Sequence, residues 1–124
     1  MWQKLAQESF AAASRLKTGG LSRSCVSRAY YAVFAAVTHA LIQKGLTPRA
    51  DFGTWSHAEL PEMAQNHLLD HGAAAINLAY AVRRLYRLRL WADYVPDLEL
   101  TEGEAFEAMG LTNQVFRQLR GQRR

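Results

Sequence analysis

Apolar residues recur every three or four positions along most of the chain, which is the period of an amphipathic α-helix. No stretch alternates apolar and polar residues in the manner of a half-buried strand. Four breaks, each at a glycine or a proline, divide the chain into five segments: Gly19-Gly20, Gly45 with Pro48, Gly72, and Pro96.

The first two segments have clear helical stops. Residues 2–17 form an amphipathic pattern that the paired glycines end, and residues 22–44 continue the same period until Gly45. A third helix starts near Ser56, where Pro61 requires either a beginning near Leu60 or a place in the first turn.

The last two segments complete the fold prediction. Residues 73–91 contain no breaker, and Pro96 follows them. The fifth segment opens with a Thr-x-x-Glu capping box at residues 101–104, ahead of an apolar run. Together these patterns predict an all-α fold, an antiparallel up-and-down bundle of four to five helices.

The length of 124 residues suits a single domain over residues 1–124, with a short basic tail from about residue 117. Hydrophobic residues make up 49% and charged residues 21%, which is ordinary globular composition. The lone Cys25 is predicted to be a buried core thiol. We expect no signal peptide, no membrane span and a cytoplasmic protein.

The net charge of +4 permits a nucleic-acid partner without requiring one. Much of the positive charge falls in two clusters, which can equally be solvated helix faces and a frayed basic end. The clusters are Arg83, Arg84, Arg87 and Arg89, and Arg117, Arg120, Arg123 and Arg124.

The sequence contains no phosphate-binding glycine loop, no His-Glu-x-x-His pair and no Gly-x-Ser-x-Gly motif. His67 and His71 lie four residues apart with Asp70 nearby, and a polar helix end explains them as well as a metal pair does. We therefore predict no metal site and no cofactor.

Arg89 interrupts the apolar pattern of the fourth segment. At about 100° per residue it falls within roughly 40° of Leu78, Val82 and Leu85, and so continues their stripe. A guanidinium there is costly to bury unless it is paired, and Asp93 is placed to pair with it. Two interpretations stay open: a capped helix end, or an arginine that binds phosphate.

Two motifs resemble those of the HEPN domain superfamily. A Ser-Arg-Ala-Tyr-Tyr-Ala sequence occupies residues 27–32, early in the second helix. An Arg-Leu-Trp-Ala-Asp-Tyr sequence at residues 89–94 is similar to the Ala-Asp-Tyr signature of the group. The resemblance covers nearly the whole chain.

This resemblance implies a compact helical bundle that forms a homodimer. Many similar proteins are toxins paired with a minimal nucleotidyltransferase antitoxin, and several cleave RNA without a metal. Their Arg-x4-6-His motifs meet across the dimer interface, where the arginine stabilises phosphate charge and the histidine moves protons. Here Arg89 matches the arginine, but Tyr94 stands at the position of the histidine.

Arg89, Asp93 and Tyr94 are therefore the candidate catalytic residues. Tyrosine has an ordinary pKa of about 10 and is a poor base at neutral pH. Tyr94 is also a candidate acceptor of adenylate from the partner enzyme. Three interpretations stay open: an RNA-cleaving toxin, a non-catalytic module that binds a nucleotide or a partner protein, and a plain structural helical domain.

Tyr30 and Tyr31 point about 100° apart on a helix, so one faces the core and the other faces a cleft or an interface. Their helix also carries His39, which aligns with Arg28 on a face of small residues. That face is a second candidate for a cleft or an interface. Three further arginines are candidate contacts for RNA phosphates: Arg28, Arg83 and Arg87.

Overall fold

The computed structural model describes residues 1–48, 53–70 and 72–122. These residues form helices and connections, and no strand occurs among them. The all-α prediction is confirmed. The helices are α1 (Trp2–Thr18), α2 (Ser22–Gln43), α3 (Glu59–His67), α4 (Ala73–Tyr94) and α5 (Glu102–Gln122).

Glycines end the first two helices as the sequence predicts. Gly20 and Gly45 adopt φ values of 77° and 90°, a left-handed conformation that favours glycine. After each glycine the chain turns back on the helix, because Leu21 N–H donates to Leu16 C=O and Leu46 N–H donates to Leu41 C=O.

Capping boxes begin the third and fifth helices. The Ser56 hydroxyl accepts from Glu59 N–H at 3.1 Å, and the Glu59 carboxylate accepts from Ser56 N–H at 3.4 Å. The helix begins at Glu59, next to Leu60, and Pro61 lies in its first turn, which agrees with the prediction. Before α5, Thr101 N–H donates to the Glu104 carboxylate at 3.0 Å, as the predicted box requires.

The second helix is the centre of the bundle and packs against each of the other four helices. Its buried residues include Val26, Tyr30, Val33, Val37 and Leu41, which lie on more than one side of the helix. By length and composition alone α2 could cross a membrane. However, 61% of the apolar 18-residue stretch of α2 that meets this test is buried inside the bundle.

Two further sequence predictions can be compared with the structure. Cys25 is fully buried, as predicted, and burial raises the pKa of its thiol although Lys17 acts in the opposite direction. The segment described as a basic tail is helical as far as Gln122, since α5 continues through Arg117 and Arg120.

Candidate functional site

Arg89 lies in the wall of the bundle near the end of α4. Only 9% of the residue is exposed, and Leu78, Val82 and Leu85 of the same helix are fully buried. The structure therefore places Arg89 on the buried stripe that the helical period indicates. A charge in this position needs partners, because desolvation of an unpaired guanidinium is costly.

The partners of Arg89 come from two helices. Nη2 donates to the Tyr31 hydroxyl at 2.6 Å and to the Tyr94 hydroxyl at 3.4 Å. The guanidinium carbon lies 5.3 Å and 5.2 Å from the centres of these two rings, within range of cation–π attraction. Tyr31 and Tyr94 thus hold one edge of the guanidinium.

Asp93 neutralises the charge. Its Oδ2 lies 2.8 Å from Arg89 Nε, but the Nε–H is not directed at the oxygen, so the contact is an ion pair without a well-formed hydrogen bond. Burial acts to lower the pKa of Arg89, yet Tyr31, Tyr94 and Asp93 outweigh it and the pKa lies above its ordinary value. Arg89 therefore stays charged.

One edge of the guanidinium remains open. Among the described residues no partner contacts Nη1, and Nη1 is not among the buried polar atoms without a hydrogen bond. Nη1 therefore reaches solvent. It presents two N–H donors on a charged group whose other edges are fixed, which is the arrangement that suits a phosphate oxygen.

The two motifs that carry the resemblance lie against each other. The Ser27 hydroxyl donates to Asp93 Oδ2 at 3.3 Å, and Tyr31 accepts from Arg89. Tyr94 completes the cluster from the last turn of α4, with 65% of its surface exposed.

Arg23 fixes the end of α4 and was missed by the sequence analysis. From the first turn of α2 its Nη1 donates to the carbonyls of Trp91 at 2.8 Å, Ala92 at 2.7 Å and Val95 at 3.2 Å, while its Nη2 donates to Leu98 C=O. Carbonyls at a helix end lack partners within the helix, and Arg23 supplies them. These bonds accompany the extension of α4 beyond the predicted residue 91.

His57 also joins the cluster without having been predicted. It lies in the turn before α3, and its Nδ1 is 2.6 Å from the Tyr30 hydroxyl. Its ring stacks on Tyr86 of α4, with centroids 5.1 Å apart and an interplanar angle of 12°. Tyr30 is fully buried, and burial raises the pKa of its hydroxyl well above the ordinary value.

The surroundings of His57 favour the neutral imidazole. Burial lowers its pKa below the ordinary value of 6.5, and the positive charge of Arg89 acts in the same direction. Two effects thus oppose the imidazolium form, and both depend on the folded structure.

The pH dependence of stability is expected to report this environment. The unfolded chain binds a proton at His57 near pH 6.5, while the folded chain binds it only at lower pH. The free energy of unfolding should therefore fall as the pH is lowered from 6.5 through the folded pKa. Urea unfolding between pH 7.5 and 5 should show a smaller fall in His57→Asn than in the unchanged protein. If the free energy of unfolding depends on pH equally in both proteins, the lowered pKa is not that of His57.

The other predicted residues lie outside the contacts of Arg89. Arg28 is exposed on α2, one turn before Tyr31. Arg83 and Arg87 are exposed, but at 100° per residue they lie more than 100° around α4 from Arg89. Arg84 of the same cluster is paired with Glu107 of α5 through bonds of 2.7 Å and 3.0 Å.

The second candidate face, which carries His39, lies in a different part of the fold from Arg89. His39 lines a separate groove of about 700 Å³ between α1, α2 and α5, which also includes Lys44 and Arg120. Tyr30 was a candidate for the cleft or interface, but it is in the core, and Tyr31 is the half-buried member of the pair.

The metal interpretation of the histidine pair concerns His67 and His71. Among residues 1–48, 53–70 and 72–122, no group of three or more His, Cys, Asp or Glu side chains is placed to hold a metal ion. His67 is exposed at the end of α3, and His71 lies outside the described residues.

The described residues therefore form a bundle of five helices in which a buried arginine lies between two tyrosines. The model of the HEPN domain family matches residues 1–122, so the chain belongs to this family. It is 32% identical over 102 residues to a protein of Methanocaldococcus jannaschii named "Putative toxin". The matched region makes up 82% of this chain and 71% of that protein.

Proposed function

We propose that this protein is a toxin-like ribonuclease that cleaves RNA in the cytoplasm as a homodimer, with Arg89 as the residue that contacts phosphate. One observation carries the proposal. Arg89 is a buried, permanently charged guanidinium whose Nη2 and Nε are held by Tyr31, Tyr94 and Asp93, while Nη1 reaches solvent.

The chemistry of RNA cleavage suits this arrangement. When a ribose 2′-hydroxyl attacks the neighbouring phosphorus, negative charge grows on the phosphate oxygens. A fixed N–H donor stabilises that charge without first having to reorganise, which is the most effective form of electrostatic catalysis. The fixed edges of Arg89 supply this preorganisation. Arg28 is exposed one turn from Tyr31, and we propose that it contacts a flanking phosphate.

A homodimer is supported by the surface beside this site. Tyr94, Val95 and Leu98 are exposed apolar residues at the end of α4 and just after it. A second copy packed on this surface would bury them and bring two Arg89 side chains to one composite cleft. The exposed Tyr94 hydroxyl is also the group that a nucleotidyltransferase antitoxin would modify with adenylate.

The name of the archaeal relative supports the toxin assignment, because two thirds or more of each chain is matched at 32% identity. That relative is named as a toxin candidate, and the transfer of such a role to this chain is part of the proposal. A toxin is paired with an antitoxin, so the toxin role agrees with the expected nucleotidyltransferase partner.

A second function is favoured by one specific observation. The residue five positions after Arg89 is tyrosine, so the motif lacks the histidine of RNA-cleaving relatives. In this alternative the protein is a non-catalytic module, and the surface beside Arg89 and Tyr31 binds a nucleotide or a loop of a partner protein.

Purified protein should cleave single-stranded RNA in the presence of EDTA and leave 2′,3′-cyclic phosphate ends, while a DNA of the same sequence stays intact because it lacks the 2′-hydroxyl. Gel electrophoresis and mass spectrometry of the fragments provide the readout, and light scattering gives the oligomeric state. Intact RNA after incubation with a folded dimer would reject the ribonuclease. Tight nucleotide binding by such a sample would favour the module.

A further inference from the structure

The motif at residues 89–94 contains no histidine. The fold nevertheless brings His57, from the turn before α3, against aromatic rings of α2 and α4 near Arg89. His57 stacks on Tyr86, which precedes Arg89 by three residues and so is its neighbour on the surface of α4. The turn before α3 thus places a histidine beside the helix that carries the arginine.

A second set of contacts links the two residues through α2. The Tyr30 ring lies 5.5 Å from the His57 ring and 5.6 Å from the Tyr31 ring, and the Tyr31 hydroxyl accepts from Arg89. The charge of Arg89 is also near enough to oppose protonation of His57. Both side chains therefore belong to one continuous cluster.

The two ring nitrogens of His57 differ in what they contact. Nδ1 is bonded to the Tyr30 hydroxyl at 2.6 Å. Among the described residues Nε2 has no hydrogen-bond partner, and it is not among the buried atoms without one, so it reaches solvent. The imidazole is held by one nitrogen and presents the other, which is how a proton-transfer histidine is arranged.

We propose that His57 is the general base of this site and performs the proton transfer that Tyr94 cannot perform. The proposal rests on the ribonuclease function proposed above. In the step, Nε2 takes the proton of the ribose 2′-hydroxyl as the bond from that oxygen to phosphorus forms. The bond from phosphorus to the 5′-oxygen breaks, and the leaving oxygen takes a proton from water. His57 then releases its proton to solvent.

Two aromatic residues position this base. The 2.6 Å contact between Nδ1 and the Tyr30 hydroxyl allows the tautomer that the base requires, in which Nδ1–H donates to the hydroxyl and the lone pair is on Nε2. The stack on Tyr86 fixes the plane of the ring. Because its pKa is raised, Tyr30 stays protonated and does not compete for the proton. Tyr30 and Tyr86 are positioning residues, since they act through His57.

Among the residues that the structure describes, the titratable and charged groups shown to act on His57 are Tyr30 of α2 and Tyr86 and Arg89 of α4. Since burial and Arg89 keep the imidazole neutral at pH 7, the base is available there. The profile of kcat/KM should therefore fall on the acid side with a midpoint below 6.5, the ordinary pKa of histidine.

The test compares His57→Asn with the unchanged protein on a fluorogenic oligoribonucleotide, and measures affinity by anisotropy with an oligonucleotide that lacks the reacting 2′-hydroxyl. Asparagine can still bond to Tyr30 but cannot act as the base. We expect kcat to fall about 100-fold or more, the acid limb to disappear, and the affinity to stay within about twofold of the original. His67→Asn, which changes an exposed histidine on α3, is the control and should cleave normally.

Two other results would contradict the His57 proposal alone or both proposals. If the unchanged protein cleaves RNA and His57→Asn cleaves within about threefold of it, His57 is not the base, while the ribonuclease stands. If the unchanged protein does not cleave RNA, both proposals fall.

A second variant covers the case in which His57→Asn does not fold. Tyr30→Phe keeps the buried ring and removes only the hydroxyl that orients His57. We expect it to lower kcat about tenfold and to shift the midpoint of the acid limb, and an unchanged acid limb in a folded Tyr30→Phe protein would overturn the proposal.

Discussion

Arg89→Gln is expected to lower the rate of RNA cleavage by about 100- to 1,000-fold, the effect of removing one preorganised donor to a developing oxyanion. Glutamine is uncharged and too short to keep the contacts with Tyr31 and Tyr94 while it presents a donor to the phosphate. Single-turnover rates with excess enzyme measure the chemical step. The slope of the binding constant against salt concentration on a log–log plot should decrease by about one, because one phosphate contact is lost.

The matched control for this variant is Arg15→Gln. Arg15 is exposed in the last turn of α1, so its replacement removes the same charge away from the cluster. It should change the cleavage rate less than about twofold. Circular dichroism establishes that both variants are folded. Equal cleavage by the two variants would show that Arg89 contributes only general positive charge.

The helices could be predicted because their signals are local. A 3.6-residue period, glycines after Thr18 and Gln43, and the capping box at Thr101 all act within a few residues, and each has the predicted structural consequence. The predicted end of α4 was three residues too early. Its last turn is held by Arg23, which is about 70 residues away in sequence.

Arg89 was found because it violates a local pattern. A charge on a stripe of buried leucine and valine side chains is costly without partners, and Asp93 lies one turn further along the same helix. The partnership with Tyr31 depends on how α2 packs against α4, which no spacing within either helix specifies.

His57 gave no comparable signal. It stands in a turn, where a polar residue is ordinary, and its neighbours Tyr30 and Tyr86 are 27 and 29 residues away. The capping box of Ser56 and Glu59 fixes the turn but does not indicate which helix the imidazole meets. Only the tertiary packing shows that a histidine lies beside the incomplete motif.

The sequence does contain a signal for the role of Arg23. A positive charge in the first turn of a helix opposes the helix dipole, and α2 has no acidic residue there to offset it. Such an arginine is stabilised when its guanidinium contacts carbonyls at the C-terminal end of another helix, where the dipole is negative. The first turn of α2 therefore indicated a partner, although not its identity.

Arg23→Ala is expected to lower the free energy of unfolding by about 1.5–3 kcal/mol, the range for hydrogen bonds that involve a charged group. The change removes the side-chain donor from the carbonyls of Trp91, Ala92 and Val95. Trp91 and Val95 keep a backbone donor each. The last turn of α4 should then open more easily, and with it the position of Tyr94. Urea unfolding gives the free energy, and hydrogen exchange at Val95 N–H, which donates to Trp91 C=O, reports the local opening.

Arg28→Ala is the matched control, because Arg28 is an exposed arginine five residues further along the same helix. Its replacement should change the free energy of unfolding by less than about 0.5 kcal/mol. The difference between the variants separates the bonds to α4 from the general effect of removing an arginine from α2. If both variants lose the same stability and exchange at Val95 is unchanged, Arg23 does not hold the end of α4. If exchange there accelerates in Arg23→Ala alone, α2 fixes the α4 terminus on which the cleft depends.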